Sequence, residues 1–331
     1  MPYHAPHTVP PEVTLSVPQA NPADPRLAHR LGPWDGETAD AVLIGVPFDL
    51  GVTLGGGRPG AAQGPTALRQ ALLRFGTTHN AVHNVNFDHL RLADAGDLDV
   101  VADDPGHPGH GEAVAATHER LATAVGAILD VGAVPIVVGG GNDATFGSVK
   151  ALTSSAPSVA GVNVDAHLDL REVVDGRITS GTPYRRILEE LGLPGKNLVE
   201  FALHSAVNSR AHLDYAAEKG VQCLTLEQVR KGGMAGALAW RLGALAAAAE
   251  VLFVSIDLDV FAAPFAPGVS SPGTEGLTPE EGRELAFAAG RSPKVTLFEL
   301  MELNPAFDLD ERTSRLAALL LASFLAGLAV R

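Results

Sequence analysis

The sequence predicts an α/β protein: a mostly parallel sheet with helices covering both of its faces. Three observations carry that prediction. From residue 41 onward, short apolar runs alternate with longer amphipathic ones, the order expected of repeated βα units. The short runs are apolar throughout rather than at every second position, as strands buried on both faces are. No linker-like stretch interrupts residues 41–331, so they read as a single domain behind an irregular N-terminal arm, residues 1–40.

The arm is rich in Pro and His and lacks the apolar segment of a signal peptide. Its His4 and His7 read as solvated. Strand Ala41–Val46 leads through a glycine-dense loop, with Asp49 and Arg58 as its polar members, into a helix over Pro65–Phe75. Pro65 suits a first helical turn, as does Pro279 after Thr278. Further strands are expected at Leu90–Ala93, Val134–Val138, Val159–Val164, Leu198–Leu203, Val221–Leu224, Val251–Ile256 and Val295–Leu300. Further helices are expected at Glu112–Val131, Ala144–Leu152, Pro183–Leu191, Ala211–Lys219, Gly236–Ala249, Pro279–Ala289 and Glu311–Leu328.

Composition narrows the partners. A net charge of −14 without a long basic run argues against nucleic acid and anionic membrane surfaces, leaving a small-molecule substrate. One cysteine, Cys223, excludes an internal disulfide and fits a reducing compartment, so a cytoplasmic location is expected. No apolar run has the length of a membrane span. His79, His83, His89, His107 and His110 lie in polar, glycine-rich loops and are not expected to bind metal.

The chemistry gathers at two strand ends. Val159–Val164 runs into Asp165-Ala166-His167-Leu168-Asp169, and Val251–Ile256 runs into Asp257-Leu258-Asp259. In extended backbone, alternate residues share a face. The two stretches therefore aim four carboxylates and an imidazole past the carboxyl ends of strands, where open α/β sheets bind ligands. Two divalent ions balance four carboxylates, and an oxygen-rich set with one His and no Cys suits Mn²⁺ better than structural zinc. A third strand end, Val134–Val138, leads into Gly139-Gly140-Gly141-Asn142-Asp143, which either caps a helix or faces the same cluster.

In this order, Gly-Gly-Gly-Asn142-Asp143, Asp165-Ala-His167-Leu-Asp169-Leu-Arg171, Ser255-Ile-Asp257-Leu-Asp259 and Glu302-Leu-Asn304-Pro305 resemble the ureohydrolases, the family of arginase, agmatinase and formimidoylglutamase. The resemblance runs from about Ala41 to the C-terminus. Gly45-Val-Pro-Phe-Asp49, Ser180-Gly-Thr-Pro-Tyr184 and the segment from Asn304 to Thr313 look most like formimidoylglutamase. The resemblance implies a three-layer α/β/α, arginase-like fold with a sheet of about eight mostly parallel strands, and a pair of Mn²⁺ ions per chain.

Carried over residue by residue, Asp165 and Asp257 would bridge both ions, His167 and Asp259 would complete one shell, and Asp169 with residue 142 the other. The family pattern has His at that last place. This chain has Asn142, whose neutral amide should bind more weakly. Where arginases have a His proton shuttle this chain has Tyr184, which counts against arginase. The implied reaction is hydrolysis of N-formimidoyl-L-glutamate to L-glutamate and formamide, a step of histidine degradation. An agmatinase or other guanidino-compound hydrolase is the alternative within the family, and a metal-depleted, non-catalytic relative the alternative outside it. Asp169 is expected to relay a proton, and Glu302 to hold the cationic amidine. Arg171 is expected to read a substrate carboxylate, with Tyr184, Asn208 and His204 lining the pocket and Arg58 adding positive charge near its mouth, while Arg177, Arg185 and Arg186 either add to that charge or are solvated helix-face residues. A homo-oligomer is expected.

Overall fold

The computed structural model describes residues 3–15, 21, 23–103 and 111–331. His107, His110 and part of the arm lie outside the described residues. Two short strands sit in the arm, β1 (Thr8–Val9) and β2 (Gly32–Pro33). They are followed by β3 (Ala41–Gly45), a separate hairpin of β4 (His79–Asn80) and β5 (Val85–Asn86), then β6 (Leu92–Leu98), β7 (Val134–Val138), β8 (Val159–Val164), β9 (Leu198–Leu203), β10 (Gln222–Thr225), β11 (Val251–Asp257) and β12 (Val295–Met301). The main sheet runs β1-β6-β3-β7-β12-β11-β8-β9-β10, with β2 also on β6, so it has ten strands among the described residues. Every pairing in it is parallel except β1 on β6. The eight expected strands are all present.

The arm corrects one expectation, because it is not wholly irregular. Thr8 and Val9 pair with Leu98 and Asp97. The approach needs Gly96, whose φ of +85° and missing side chain leave room for the Val9 carbonyl.

Ten α-helices complete the described fold: α1 (Leu50–Leu54), α2 (Gly64–Arg74), α3 (Glu112–Asp130), α4 (Thr145–Ser155), α5 (Pro183–Glu189), α6 (Arg210–Lys219), α7 (Leu226–Lys231), α8 (Met234–Ala246), α9 (Pro279–Arg291) and α10 (Arg312–Leu328). Strand side chains alternate between the faces. Val162, Val164, Val254 and Ile256 join α2, α8, α9 and α10 in one core. Val137, Phe253, Leu297 and Met301 join α3, α4 and α5 in the other. The result is three layers. Local chemistry sets the helix starts: at α9 the Thr278 hydroxyl accepts from Glu281 N (3.2 Å) while the Glu281 carboxylate accepts from Thr278 N (2.8 Å).

One feature of the topology builds the site. β7 and β8 are consecutive in this list but two strands apart in the sheet, because β11 and β12 enter between them. The carboxyl ends of β7, β12, β11 and β8 therefore stand side by side.

Candidate metal centre

Each of those four ends contributes. Asn142 follows β7, Glu302 follows β12, Asp257 closes β11 and Asp165 follows β8. Ligand atoms of Asp165, His167 and Asp259 lie within 4.8 Å of one another, and so do those of Asp165, Asp169 and Asp257. Asp165 belongs to both groups. His167 Nδ1 is 3.0 Å from Asp259 Oδ2 and 3.5 Å from Asp165 Oδ1. The carboxylates are fixed by their own turns: Asp165 Oδ1 accepts from His167 N (2.7 Å) and Asp257 Oδ1 from Asp259 N (2.8 Å). Asn142 donates from its backbone N to Glu302 Oε1 (2.9 Å) and from Nδ2 to Asp169 Oδ2 (2.8 Å) and Asp165 Oδ2 (3.4 Å). Its Oδ1 accepts from the Thr145 hydroxyl at 3.2 Å. Asp169 and Glu302 have positive φ, 45° and 65°. Non-glycine residues in this region carry strain, which clusters at functional sites.

The electrostatics are those of an uncompensated anionic site. Burial, then the Asp165 charge, pushes Asp169 up to about 8. Burial, with Asp259 and Asp165 beside it, holds Asp257 well above the carboxylate range. Burial raises Asp259 to about 6 against the pull of His167. Burial also opposes the charge of His167, but Asp259 and Asp165 outweigh it and push the imidazole up to about 12. Burial holds Glu302 well above its ordinary value. Asp259 Oδ1 and Glu302 Oε2 are buried without a hydrogen-bond partner among the described residues. Crowded, unpaired carboxylate oxygens with one imidazole are the donor set that hard divalent cations take, so these residues fit a pair of such ions.

A cavity of about 280 Å³ opens onto the cluster. His167, Asp169, Asp257, Asp259 and Glu302 form its acidic wall, and Arg58 and Arg171 bring positive charge to its border. Arg171 is exposed and packs over Gly181, where a side chain would collide with its Cδ. Arg58 Nε donates to the Ser270 carbonyl (3.0 Å), and its guanidinium lies 3.8 Å over the Phe307 ring. Gly55–Gly57, Thr179, Ser180, Ser270 and Ser271 complete the wall. Ser270 and Ser271 belong to none of the motifs visible in the sequence.

Several expected pocket residues stand elsewhere. Tyr184 does not line the cavity: it is fully buried, and its hydroxyl donates to Asn163 Oδ1 at 2.8 Å. Asn208 does not line it either. Both ends of its amide brace the loop after β8, accepting from Leu168 N (2.9 Å) and donating to the Ala166 carbonyl (2.8 Å). Arg185 pairs with Glu172 and Glu189, and Arg186 with Glu190. Arg177 is exposed and off the cavity. His204 is buried against the Val260 carbonyl (3.2 Å), and Asp49 accepts from Gly60 N (2.6 Å).

A buried dyad not visible in the sequence lies next to Asn142, where His118 Nε2 is 3.0 Å from Asp143 Oδ2. The isolated polar letters in helix α3 and the glycine loop gave no period that joined them.

The arginase-family model matches residues 39–327. The chain belongs to the arginase family. The formimidoylglutamase of Halalkalibacterium halodurans is 30% identical to it over 302 residues, covering 90% of this chain and 91% of its own. Among solved structures, Trypanosoma cruzi formiminoglutamase with Mn²⁺ is similar with a TM-score of 0.84 and 37% identity, covering 93% of this arginase-family chain and 99% of its own. An asparagine-to-histidine variant of that protein, also with Mn²⁺, matches equally well. The formimidoylglutamase of Bacillus subtilis has a TM-score of 0.84 at 27% identity, covering 95% of each chain. The three-layer, mostly parallel architecture of this chain is that of the arginase fold.

Proposed function

We propose that this chain is a formimidoylglutamase, a metal-dependent hydrolase that converts N-formimidoyl-L-glutamate and water to L-glutamate and formamide. The observation that carries the reading is the pairing of an acidic wall with arginines around one cavity, in a chain similar over most of its length to formimidoylglutamases. The substrate is cationic at its amidine and anionic at two carboxylates, so it complements both sides. Agmatine lacks the carboxylates. A non-catalytic relative would have no use for five carboxyl groups crowded around one imidazole.

Asp165, His167, Asp257 and Asp259 would hold one Mn²⁺, and Asp165, Asp169, Asp257 and Asn142 the other. When bound, the ions neutralise the carboxylates and acidify a water molecule. Asn142 presents its amide to the same carboxylates, and a flip of that amide turns its oxygen toward them. Glu302, held through Oε1 by the Asn142 backbone, keeps Oε2 for the N–H groups of the amidinium, a charge-assisted contact. Water adds to the formimidoyl carbon. Its proton passes to the Asp169 carboxylate and from there to the departing glutamate nitrogen, while the carbon leaves as formamide. Arg171 reads a substrate carboxylate, and Arg58, fixed by Ser270 and Phe307, adds a second positive charge.

The same reading takes residues 41–331 as one catalytic domain acting in the cytoplasm as a homo-oligomer. The single free Cys223 supports the compartment; light scattering tests the assembly. The test of the reaction is an activity panel of N-formimidoyl-L-glutamate, arginine, agmatine and guanidinobutyrate after Mn²⁺ loading. Turnover should be fastest on the first. Faster turnover of any guanidine would overturn the assignment.

A further inference from the structure

Beneath the metal ligands lies a second polar row. Glu200 on β9, Asn163 on β8, Ser255 on β11 and Glu299 on β12 are cross-strand partners in one register line. All four are fully buried. Central strands of a parallel sheet are normally apolar, and a buried polar atom without a partner is costly. Yet Glu200 Oε1, Ser255 Oγ and both Glu299 carboxyl oxygens have no partner among the described residues. The hydroxyls of Thr145, Ser148 and Ser255 lie near enough to Glu299 to favour its ionised form, but none makes a hydrogen bond to it. The pleat repeats every second residue, so Asn163 stands directly below Asp165 and Ser255 directly below Asp257.

We propose that this row is the positioning floor of the metal centre, with Asn163 setting the orientation of the Asp165 carboxylate. The inference rests on the metal-centre reading above. Asp165 is the residue common to both ligand groups, so the direction of each of its oxygens matters twice. Its Oδ1 is held by the His167 amide (2.7 Å) and its Oδ2 by Asn163 Nδ2 (3.2 Å). Asn163 is itself held on both ends. Its Nδ2 also donates to Glu200 Oε2 (2.9 Å), and its Oδ1 accepts from the Tyr184 hydroxyl (2.8 Å). Tyr184 thereby decides which end of the amide faces Asp165. Turning the amide over would set its oxygen against two carboxyl groups and its nitrogen against a hydroxyl donor. Groups that hydrogen-bond metal-binding carboxylates in this way fix their geometry, and removing them costs roughly 10–100-fold in metal affinity. Tyr184 and Asn163 are positioning residues, since neither borders the cavity.

The test is calorimetric titration of Mn²⁺ into chelator-treated full-length protein, for wild type, Asn163→Leu and Tyr184→Phe, alongside melting of the metal-free forms. Asn163→Leu should weaken Mn²⁺ binding about 10–100-fold and Tyr184→Phe by less, whatever either does to metal-free melting. Tyr184→Phe removes one hydroxyl and serves if Asn163→Leu does not fold. A folded Tyr184→Phe that melts lower without its metal but binds Mn²⁺ as the wild type does would show a merely structural row and overturn the inference. A wild type that takes up no Mn²⁺ would overturn the metal-centre reading and this one with it.

Discussion

Two buried charge clusters sit near strand ends of the same sheet, and they are built oppositely. On β6, Arg69 from α2 closes on Asp94 through Nε (2.8 Å) and Nη2 (2.9 Å), on Asp97 through Nη1 (2.6 Å), and on the Gly96 carbonyl (3.0 Å). Burial opposes the Arg69 charge, but the two carboxylates hold it firmly protonated. This cluster completes itself. At the ends of β8 and β11, four aspartates face one imidazole, and Glu302 adds another carboxyl. No arginine or lysine pairs with any of them among the described residues. Both clusters follow apolar strand residues and both are buried. The difference is whether the chain supplies the counter-charge: the satisfied cluster is a staple, and the unsatisfied one is a binding site.

Reciprocal substitutions break the comparison most sharply. Asp257→Asn should abolish tight Mn²⁺ uptake and lower activity by at least about 1000-fold, on the order of 4 kcal/mol. Metal-free melting should not fall, because a like charge is removed. Arg69→Met should do the reverse. It strands two buried aspartates and costs about 3–5 kcal/mol of stability by denaturant unfolding, while folded molecules keep their Mn²⁺ affinity. Equal effects of the two substitutions on stability would erase the distinction.

Arg171→Ala should reduce kcat/KM for formimidoylglutamate by about 1.5–3 kcal/mol, the size of a hydrogen bond to a charged group, with metal content unchanged. Unaltered kinetics would remove Arg171 from substrate recognition.

A milder perturbation is pH. His167, Asp169 and Asp259 all titrate above their ordinary values in the folded, metal-free chain, to about 12, 8 and 6. Each binds its proton more tightly folded than unfolded. Its stabilising effect is complete below the unfolded value, about 4 for a carboxylate and about 6.5 for His, and is lost as pH rises through the folded value. Metal-free protein should therefore melt lower at about pH 8 than at about pH 5, with Mn²⁺ closing the gap. The smallest effect expected is that of Asn142→His, which should tighten the weaker ion by about two- to fivefold, under about 1 kcal/mol, as read by Mn²⁺ titration.

Much of this was legible in the sequence. Val134–Val138, Val159–Val164 and Leu198–Leu203 are strands with the ends expected of them, because uninterrupted apolar runs in a parallel sheet leave little choice. β6 was expected at Leu90–Ala93 and spans Leu92–Leu98. The part beyond Ala93 carries Asp94, Gly96 and Asp97, polar letters that do not read as strand until Arg69, far off in sequence, neutralises the two aspartates. Short α1 and α7 have too few residues for a helical period to show. In the site, the alternation of Asp165, His167 and Asp169 and of Asp257 and Asp259 was visible, since a strand end fixes which way each side chain leaves. Tyr184 and Asn208 were misplaced because nearness to a motif does not give a side chain's direction: Tyr184 turns inward from the first turn of α5. The floor of Glu200, Asn163, Ser255 and Glu299 was present as polar letters in apolar strands, but only the register aligns them.

The most direct test of the central claim, that the unsatisfied cluster takes a pair of divalent ions, is calorimetric titration of Mn²⁺ into chelator-treated protein near pH 7 in buffers of different ionisation enthalpy. Two ions per chain and a net release of protons are expected, because His167 must lose its proton to bind and Asp169 must ionise. Fewer than two ions at saturation, or two bound with no proton released, would contradict it.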